Sequence, residues 1–230
     1  MTIHHPTHQQ RITAGVGHEW DRLPPVLTAV PEVPHDAQAL RFRREGKSHR
    51  GLHAHKGLTQ LWARAVNQEF LEEIAQLRGL RLLHLADVTA TDLAPLAALP
   101  ALEQLTINDA TKVPDLAWVE PMQALRSLGL EHFKRVSDLS PLSSLTGLTG
   151  LAVEGSMWTA MRVATLQPLA ALSNLEALFL TNLRVEDKSL RPLHGLARLR
   201  TLHCARFFPP AEFAALAAAR PGLECSWFTD

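Results

Sequence analysis

Several common classes of protein are excluded by what this sequence has little of. In 230 residues there are two cysteines, Cys204 and Cys225. That is too few for a disulfide scaffold and fits a reducing compartment. Net charge is absent: 23 Lys and Arg balance 23 Asp and Glu with histidine neutral. Bulk attraction to nucleic acid or to an anionic membrane is thereby removed. No apolar run approaches the 18 residues of a transmembrane helix. The opening MTIHHPTHQQ lacks the apolar stretch of a secretory signal. The expectation is a cytoplasmic protein without a membrane partner. Catalytic signatures are missing too: there is no G-x-S-x-G, P-loop, G-x-G-x-x-G or H-E-x-x-H. Gly15-Val16-Gly17 falls in a stretch without visible pattern and is no nucleotide-binding motif. No enzyme activity and no cofactor are expected.

What is abundant is leucine. Apolar residues make up 46% and charged residues 20%, a globular composition, and the length allows one or two domains with a real core. There are 40 leucines, 36 of them from Leu58 onward. They recur as L-x-x-L-x-L: Leu80, Leu83, Leu85; Leu102, Leu105, Ile107; Leu125, Leu128, Leu130; Leu148, Leu151, Val153; Leu175, Leu178, Leu180; Leu199, Leu202, Cys204. Successive sets step by 22, 23, 23, 27 and 24 residues. Weaker copies lie at Leu58, Leu61, Ala63 and at Ala37, Leu40, Phe42, and a degraded one at Leu223, Ser226, Phe228. The last two leucines of each set alternate with other residues, as one face of a strand requires. A single unit cannot bury its leucines; stacking on the units before and after does so.

The other half of each period repeats as well: Asp92-Leu-Ala-Pro-Leu96, Asp138-Leu-Ser-Pro-Leu142, Thr165-Leu-Gln-Pro-Leu169 and Ser189-Leu-Arg-Pro-Leu193. Proline there starts a turn of helix at a position that needs no N–H, and the Asp, Thr or Ser ahead of it caps that turn. The two halves together resemble the leucine-rich repeat family, in its internalin-like or SDS22-like, bacterial-type subclass, over roughly residues 58–228. The resemblance implies an α/β solenoid, with a curved parallel β-sheet on the concave side and short helices and turns on the convex side. It implies a non-enzymatic protein-binding module, of the recognition or adaptor type or a partner of toxins or effectors, that uses the concave sheet face. One departure is plain: where the family places an asparagine ladder, this chain has Val88, Ala110, Phe133, Ser156, Leu183 and Phe207.

The organisation expected is a disordered N-terminus over 1–19, an N-terminal cap over 20–57, repeats over 58–204 and a C-terminal cap repeat over 205–230. Helical spacing of Val66, Phe70, Ile74 and Leu77 predicts a helix over 64–78. Pro210–Ala219 reads as another. The 27-residue step marks an insertion over 154–164 with Met157, Trp158 and Met161, which maps to a loop at one edge of the sheet. The pattern runs to the end of the chain, so no attached effector domain is expected.

Strand alternation identifies the concave face. The candidate protein-binding residues are Arg41, Arg43, Trp62, Arg64, His84, Thr106, Asn108, Glu131, Glu154, Phe179, His203 and Trp227. Trp and Arg are types enriched in interface hot spots, and the small residues Gly129, Gly150 and Ala152 leave room for a bulky or helical element of a partner. That partner's acidic part is expected toward Arg41, Arg43 and Arg64. Two histidine clusters, His4, His5, His8 and His49, His53, His55, lack the completing ligands of a metal site. The basic run Arg41–Arg50 offers an alternative, a regulatory or nucleic-acid-contacting role, although a neutral chain makes nucleic acid unfavoured. A secreted effector binding a host protein is a further alternative. Cys204 takes a core position and Cys225 is expected on the concave face, which precludes a bridge between them and leaves a Cys225–His203 pair conceivable.

Overall fold

The structure, a computed structural model, describes residues 6–228. Among these, ten parallel strands form one sheet in chain order: β1 (Val26–Leu27), β2 (Ala39–Arg43), β3 (Gln60–Arg64), β4 (Leu82–Ala86), β5 (Gln104–Asn108), β6 (Ser127–Glu131), β7 (Gly150–Glu154), β9 (Ala177–Leu180), β11 (Thr201–Cys204) and β12 (Glu224–Cys225). Strands β8 (Met161–Val163) and β10 (Leu183–Val185) pair separately, also in parallel. The helices are α1 (Pro6–Thr13), α2 (Gln68–Ile74) and α3 (Pro210–Ala219).

The leucine register is the register of the sheet. Leu61 faces Leu83, Leu83 faces Leu105, Leu105 faces Leu128, Leu128 faces Leu151, Leu151 faces Leu178 and Leu178 faces Leu202. All are buried, in one continuous core from Val33 to Leu223. The weak copies at Leu40 and Leu58 join the same core, and β2 pairs with β3 over five residues. Repeat packing therefore extends into the stretch expected as a cap.

Between strands the chain returns through short 3-10 helices such as Ala94–Ala98, Ser140–Ser144 and Gln167–Ala171, each with its proline in the first turn. The caps are those expected. Asp92 Oδ1 accepts the Ala94 N–H at 2.8 Å, Asp138 Oδ1 that of Ser140 at 2.8 Å, and Thr165 Oγ1 that of Gln167 at 3.1 Å. The missing asparagine ladder is replaced by backbone. Residues directly after the strands turn left-handed, at Ala65, Asp87, Asp109 and His132. Their N–H groups extend the ladder across the sheet: Ala65 donates to the Ala86 carbonyl at 3.0 Å, Asp109 to Glu131 at 3.1 Å and His132 to Glu154 at 2.9 Å. With that turn satisfied, Val88, Ala110 and Phe133 are free to be apolar and lie buried.

Three expectations are corrected. Arg64 ends a strand, and the helix expected over 64–78 is α2 alone. The left-handed turn at Ala65 delays its start until Asn67, whose side chain accepts the Phe70 N–H at 3.0 Å. The last repeat is shifted by one residue: Cys225 stands opposite Leu202, an inward position, and packs against the core. Interaction between the neighbouring Cys204 and Cys225 thiols lowers the pKa of Cys225 and raises that of Cys204; both are free. The disorder expected over 1–19 does not hold for residues 6–19, where the chain forms α1 and a turn. His4 and His5 lie outside the described residues.

Candidate functional site: the concave face and its occupant

The concave row runs across the sheet in the order Arg41, Trp62, His84, Thr106, Gly129, Ala152, Phe179, His203, as alternation predicts. Two strand residues further on lie Arg43 and Arg64, paired with each other, and then Asn108, Glu131 and Glu154. Trp227 is not in this row. The chain turns after Cys225, and the Trp227 indole donates to the Cys204 carbonyl at 2.8 Å.

The face is not empty. The N-terminal segment lies across it, and local sequence explains its shape. Pro6 opens α1, where a missing N–H costs nothing. Gly15 closes it with φ +71°: its N–H donates to the Ile12 carbonyl and that of Val16 to the Arg11 carbonyl, at 2.9 and 3.0 Å. This is the Schellman pattern, which favours glycine at the left-handed position. The turn aims Val16 at the sheet, where it forms a small apolar cluster with Ala152 and Phe179.

Polar contacts fix the segment at both ends and in the middle. Thr7 Oγ1 lies 2.8 Å from His203 Nε2. Arg11 forms a two-pronged ion pair with buried Glu154, with Nη1 donating to Oε1 at 2.8 Å, and its guanidinium lies 5.0 Å from the centre of the Phe179 ring. His18 Nε2 and His84 Nδ1 are 3.0 Å apart and buried, so one donates and the other accepts. Around this pair Trp20 and Trp62 stand edge-on, Trp20 5.5 Å from the His84 ring and Trp62 6.0 Å from that of His18.

Electrostatics explain why the central contact is an arginine. Glu131 and Glu154 are direct neighbours on β6 and β7. Burial first, and then Glu154, raise the pKa of Glu131. Asn108 Nδ2 donates to Glu131 at 2.6 Å but carries no charge. Two neighbouring carboxylates, Glu154 buried and Glu131 half-buried, need a cation, and a bidentate guanidinium is the one that matches carboxylate geometry. On the histidine side, burial lowers the pKa of His18 to about 4 and that of His84 to about 3, so the pair is neutral at pH 7. A cavity of about 180 Å³ remains between segment and sheet, lined among others by Arg11, His18, His84, Asn108 and Glu131.

The structure therefore aligns His84, Thr106, Asn108, Glu131, Glu154, Phe179 and His203 along the segment, with His84, Thr106, Glu154 and Phe179 buried and Asn108, Glu131 and His203 half-buried. Phe179 is 0% exposed and Trp62 is buried, so neither is an open contact surface. In the structure the chain's own N-terminal segment lies over Gly150 and Ala152 and brings an arginine to the central repeats. Sequence reasoning missed Thr7, Arg11, Val16 and His18. The signals that mark α1 were present, a proline at its start and a glycine past its end.

Two members of the basic run are held by local contacts. Arg44 donates to the Ala65 and Gly46 carbonyls at 2.6 and 2.8 Å, and Arg50 pairs with Glu69 at 2.6 Å. Of the second histidine cluster, His53 bonds Glu73 at 2.6 Å and His49 packs on the Phe70 ring. Among the described residues no group of three His, Cys, Asp or Glu is placed to hold a metal ion, and no helix is long and apolar enough to cross a membrane.

No family model and no curated protein matches the sequence. Solved structures do. Internalin C2 from Listeria monocytogenes superposes with a TM-score of 0.51 at 20% identity, covering 67% of each chain. The internalin InlF of the same organism gives 0.45 at 20% identity, over 83% of this chain and 67% of that one. A leucine-rich repeat protein of Leptospira interrogans gives 0.49 at 16% identity, over 78% of this chain and 52% of that one. At such identities the likeness is one of fold. It agrees with the stacked leucines, the parallel sheet and the capped return turns: the chain is a leucine-rich repeat solenoid.

Proposed function

We propose that this chain is a non-enzymatic protein-binding module of the recognition or adaptor kind, and that its partner lands on the concave side and the adjoining rim. The observation that carries this reading is the tip of the insertion loop. Met157 and Trp158 are 82% and 89% exposed, side by side. Large apolar groups held out together mark interaction surfaces, and Trp is a preferred hot-spot residue. The tip is braced. Ser156 Oγ accepts the Thr159 N–H at 3.0 Å, the Ser156 N–H donates to the Thr159 carbonyl at 2.9 Å, and Asn182 Nδ2 donates to the Ser156 carbonyl at 2.7 Å. A preformed surface loses little entropy on binding. The loop leaves β7 directly after Glu154, so it borders the concave face.

The non-enzymatic reading rests on side-chain placement. Cys225 faces the core while His203 lies on the concave row, which separates the one nucleophile–base pair the sequence suggested. The test is affinity capture from native lysate of the source cells, with mass spectrometry, comparing wild type with Trp158→Ala and with Glu72→Ala on the convex side. Truncating a hot spot of about 2 kcal/mol should weaken capture roughly 30-fold for Trp158→Ala, and Glu72→Ala should leave it unchanged. Capture lost with Glu72→Ala and kept with Trp158→Ala would move the binding surface to the convex side and overturn the proposal.

A further inference from the structure

The way the N-terminal segment is seated says what kind of polypeptide the concave face accepts. The sheet beneath it is carved to backbone shape. A Cβ on Gly150 would stand 2.0 Å from the Ala14 carbonyl oxygen, and a Cβ on Gly15 would stand 2.3 Å from Ser127 Oγ. Both contacts require glycine, one on each partner. Around this close approach the face offers two carboxylates, Glu131 and Glu154, an apolar floor at Ala152 and Phe179, and the imidazoles His84 and His203. The segment answers each of them with Arg11, Val16, His18 and Thr7.

The segment is also separable from the repeats. Among the described residues none before Leu27 belongs to the main core or packs against it, and Val16 belongs to a distinct small cluster. The solenoid does not use the segment to bury its leucines, whereas the concave carboxylates do use Arg11. These are the properties of a ligand held in cis.

We infer that the concave face is a receptor for a short basic helix closed by a glycine turn, with arginine four residues before the glycine and a small apolar residue directly after it, and that residues 6–20 occupy this receptor until a partner presenting the same elements displaces them. The inference rests on the protein-binding reading above and names the chemistry of the partner. Arginine supplies the charge that Glu131 and Glu154 need, the glycine admits the backbone over Gly150, and the apolar residue fills the floor at Phe179. Displacement follows by mass action: a competitor in trans faces an intramolecular rival whose effective concentration is high, so the free face must be opened before a weak ligand registers.

The experiment uses the full chain and a labelled peptide of residues 6–20 as the probe, read by fluorescence anisotropy. Arg11→Glu with Val16→Asp opens the receptor and leaves the sheet unaltered. Far-UV circular dichroism and the unfolding midpoint of the repeats verify that the variant is folded. The opened chain should bind the peptide at least tenfold more tightly than wild type does, and adding Gly150→Val to the opened chain should abolish the gain. Equal affinity of wild type and opened chain, absence of binding to both, or a wild-type dimer exchanging residues 6–20 between copies would each overturn the inference. These outcomes are distinct from failure of the protein-binding reading, which is scored on the Trp158 rim with an independent partner.

Discussion

At the scale of single residues, the period of the sequence assigns each side chain a place, and the assignment has energetic content. Leu128 lies at the centre of the sheet between Leu105 and Leu151 and is fully buried. Leu128→Ala should destabilise the chain by about 2–5 kcal/mol in chemical denaturation, the range for a core leucine whose cavity collapses only in part. A loss below about half a kcal/mol would mean that the repeat register is wrong. Alternation with period two made the concave row legible from Arg41 to His203, because a strand cannot present neighbours on one face. It failed at the last strand. Leu223, Ser226 and Phe228 keep the spacing of a repeat but not its chemistry, and the strand ends at Cys225, which takes the inward place opposite Leu202. With two strand residues there is too little alternation to fix a phase.

At the scale of elements, the repeats were legible and the N-terminal segment was not, for different physical reasons. A repeat buries its leucines against sequence neighbours about two dozen residues away, so its signal recurs. Segment 6–20 makes its contacts with partners far along the chain: Arg11 with Glu154, Thr7 with His203, His18 with His84. No period announces such pairs, and prolines and histidines in a patternless stretch read as disorder. What was visible was the vacancy, small residues in the middle of a concave face. Gly150→Ala tests whether that vacancy is for the segment. Its Cβ would meet the Ala14 carbonyl and not the sheet, so the variant should keep the unfolding midpoint of the repeats. Amide hydrogen exchange over residues 7–19 should meanwhile rise at least tenfold. Unchanged exchange would show that the close approach at Gly150 is not the true geometry.

At the scale of the whole molecule, the solenoid is a rigid frame that carries a displaceable strap, and pH should act on the strap before the frame. His18 and His84 are held neutral in the docked state by burial, with the proximity of His8 and of Arg41 adding to this. Once the segment lifts away, the burial that lowers both groups is relieved, and His18 and, in part, His84 should return toward the ordinary value near 6.5. The undocked form then binds more protons, so docking is at full strength above that value and weakens as the pH falls from about 6.5 toward 4. Glu131 works the other way, since its raised pKa means that acid relieves its repulsion with Glu154; two imidazoles act against that one carboxyl. The Val16 methyl resonances, followed from pH 7.5 to 4.5, should move toward random-coil positions while those of Leu128 stay fixed, and the dependence should shrink in His18→Gln. Simultaneous movement of Val16 and Leu128 would mean that acid unfolds the frame itself.

The central claim, that a leucine-rich repeat solenoid carries its own N-terminal segment on its concave face, is tested most directly by proton–proton nuclear Overhauser contacts in the full chain at neutral pH. The account predicts cross-peaks between the Val16 methyl groups and the ring protons of Phe179, alongside the cross-strand contacts of Leu128 with Leu105 and Leu151. Cross-strand contacts present with no Val16–Phe179 cross-peak would contradict it, leaving the fold in place and the concave face unoccupied.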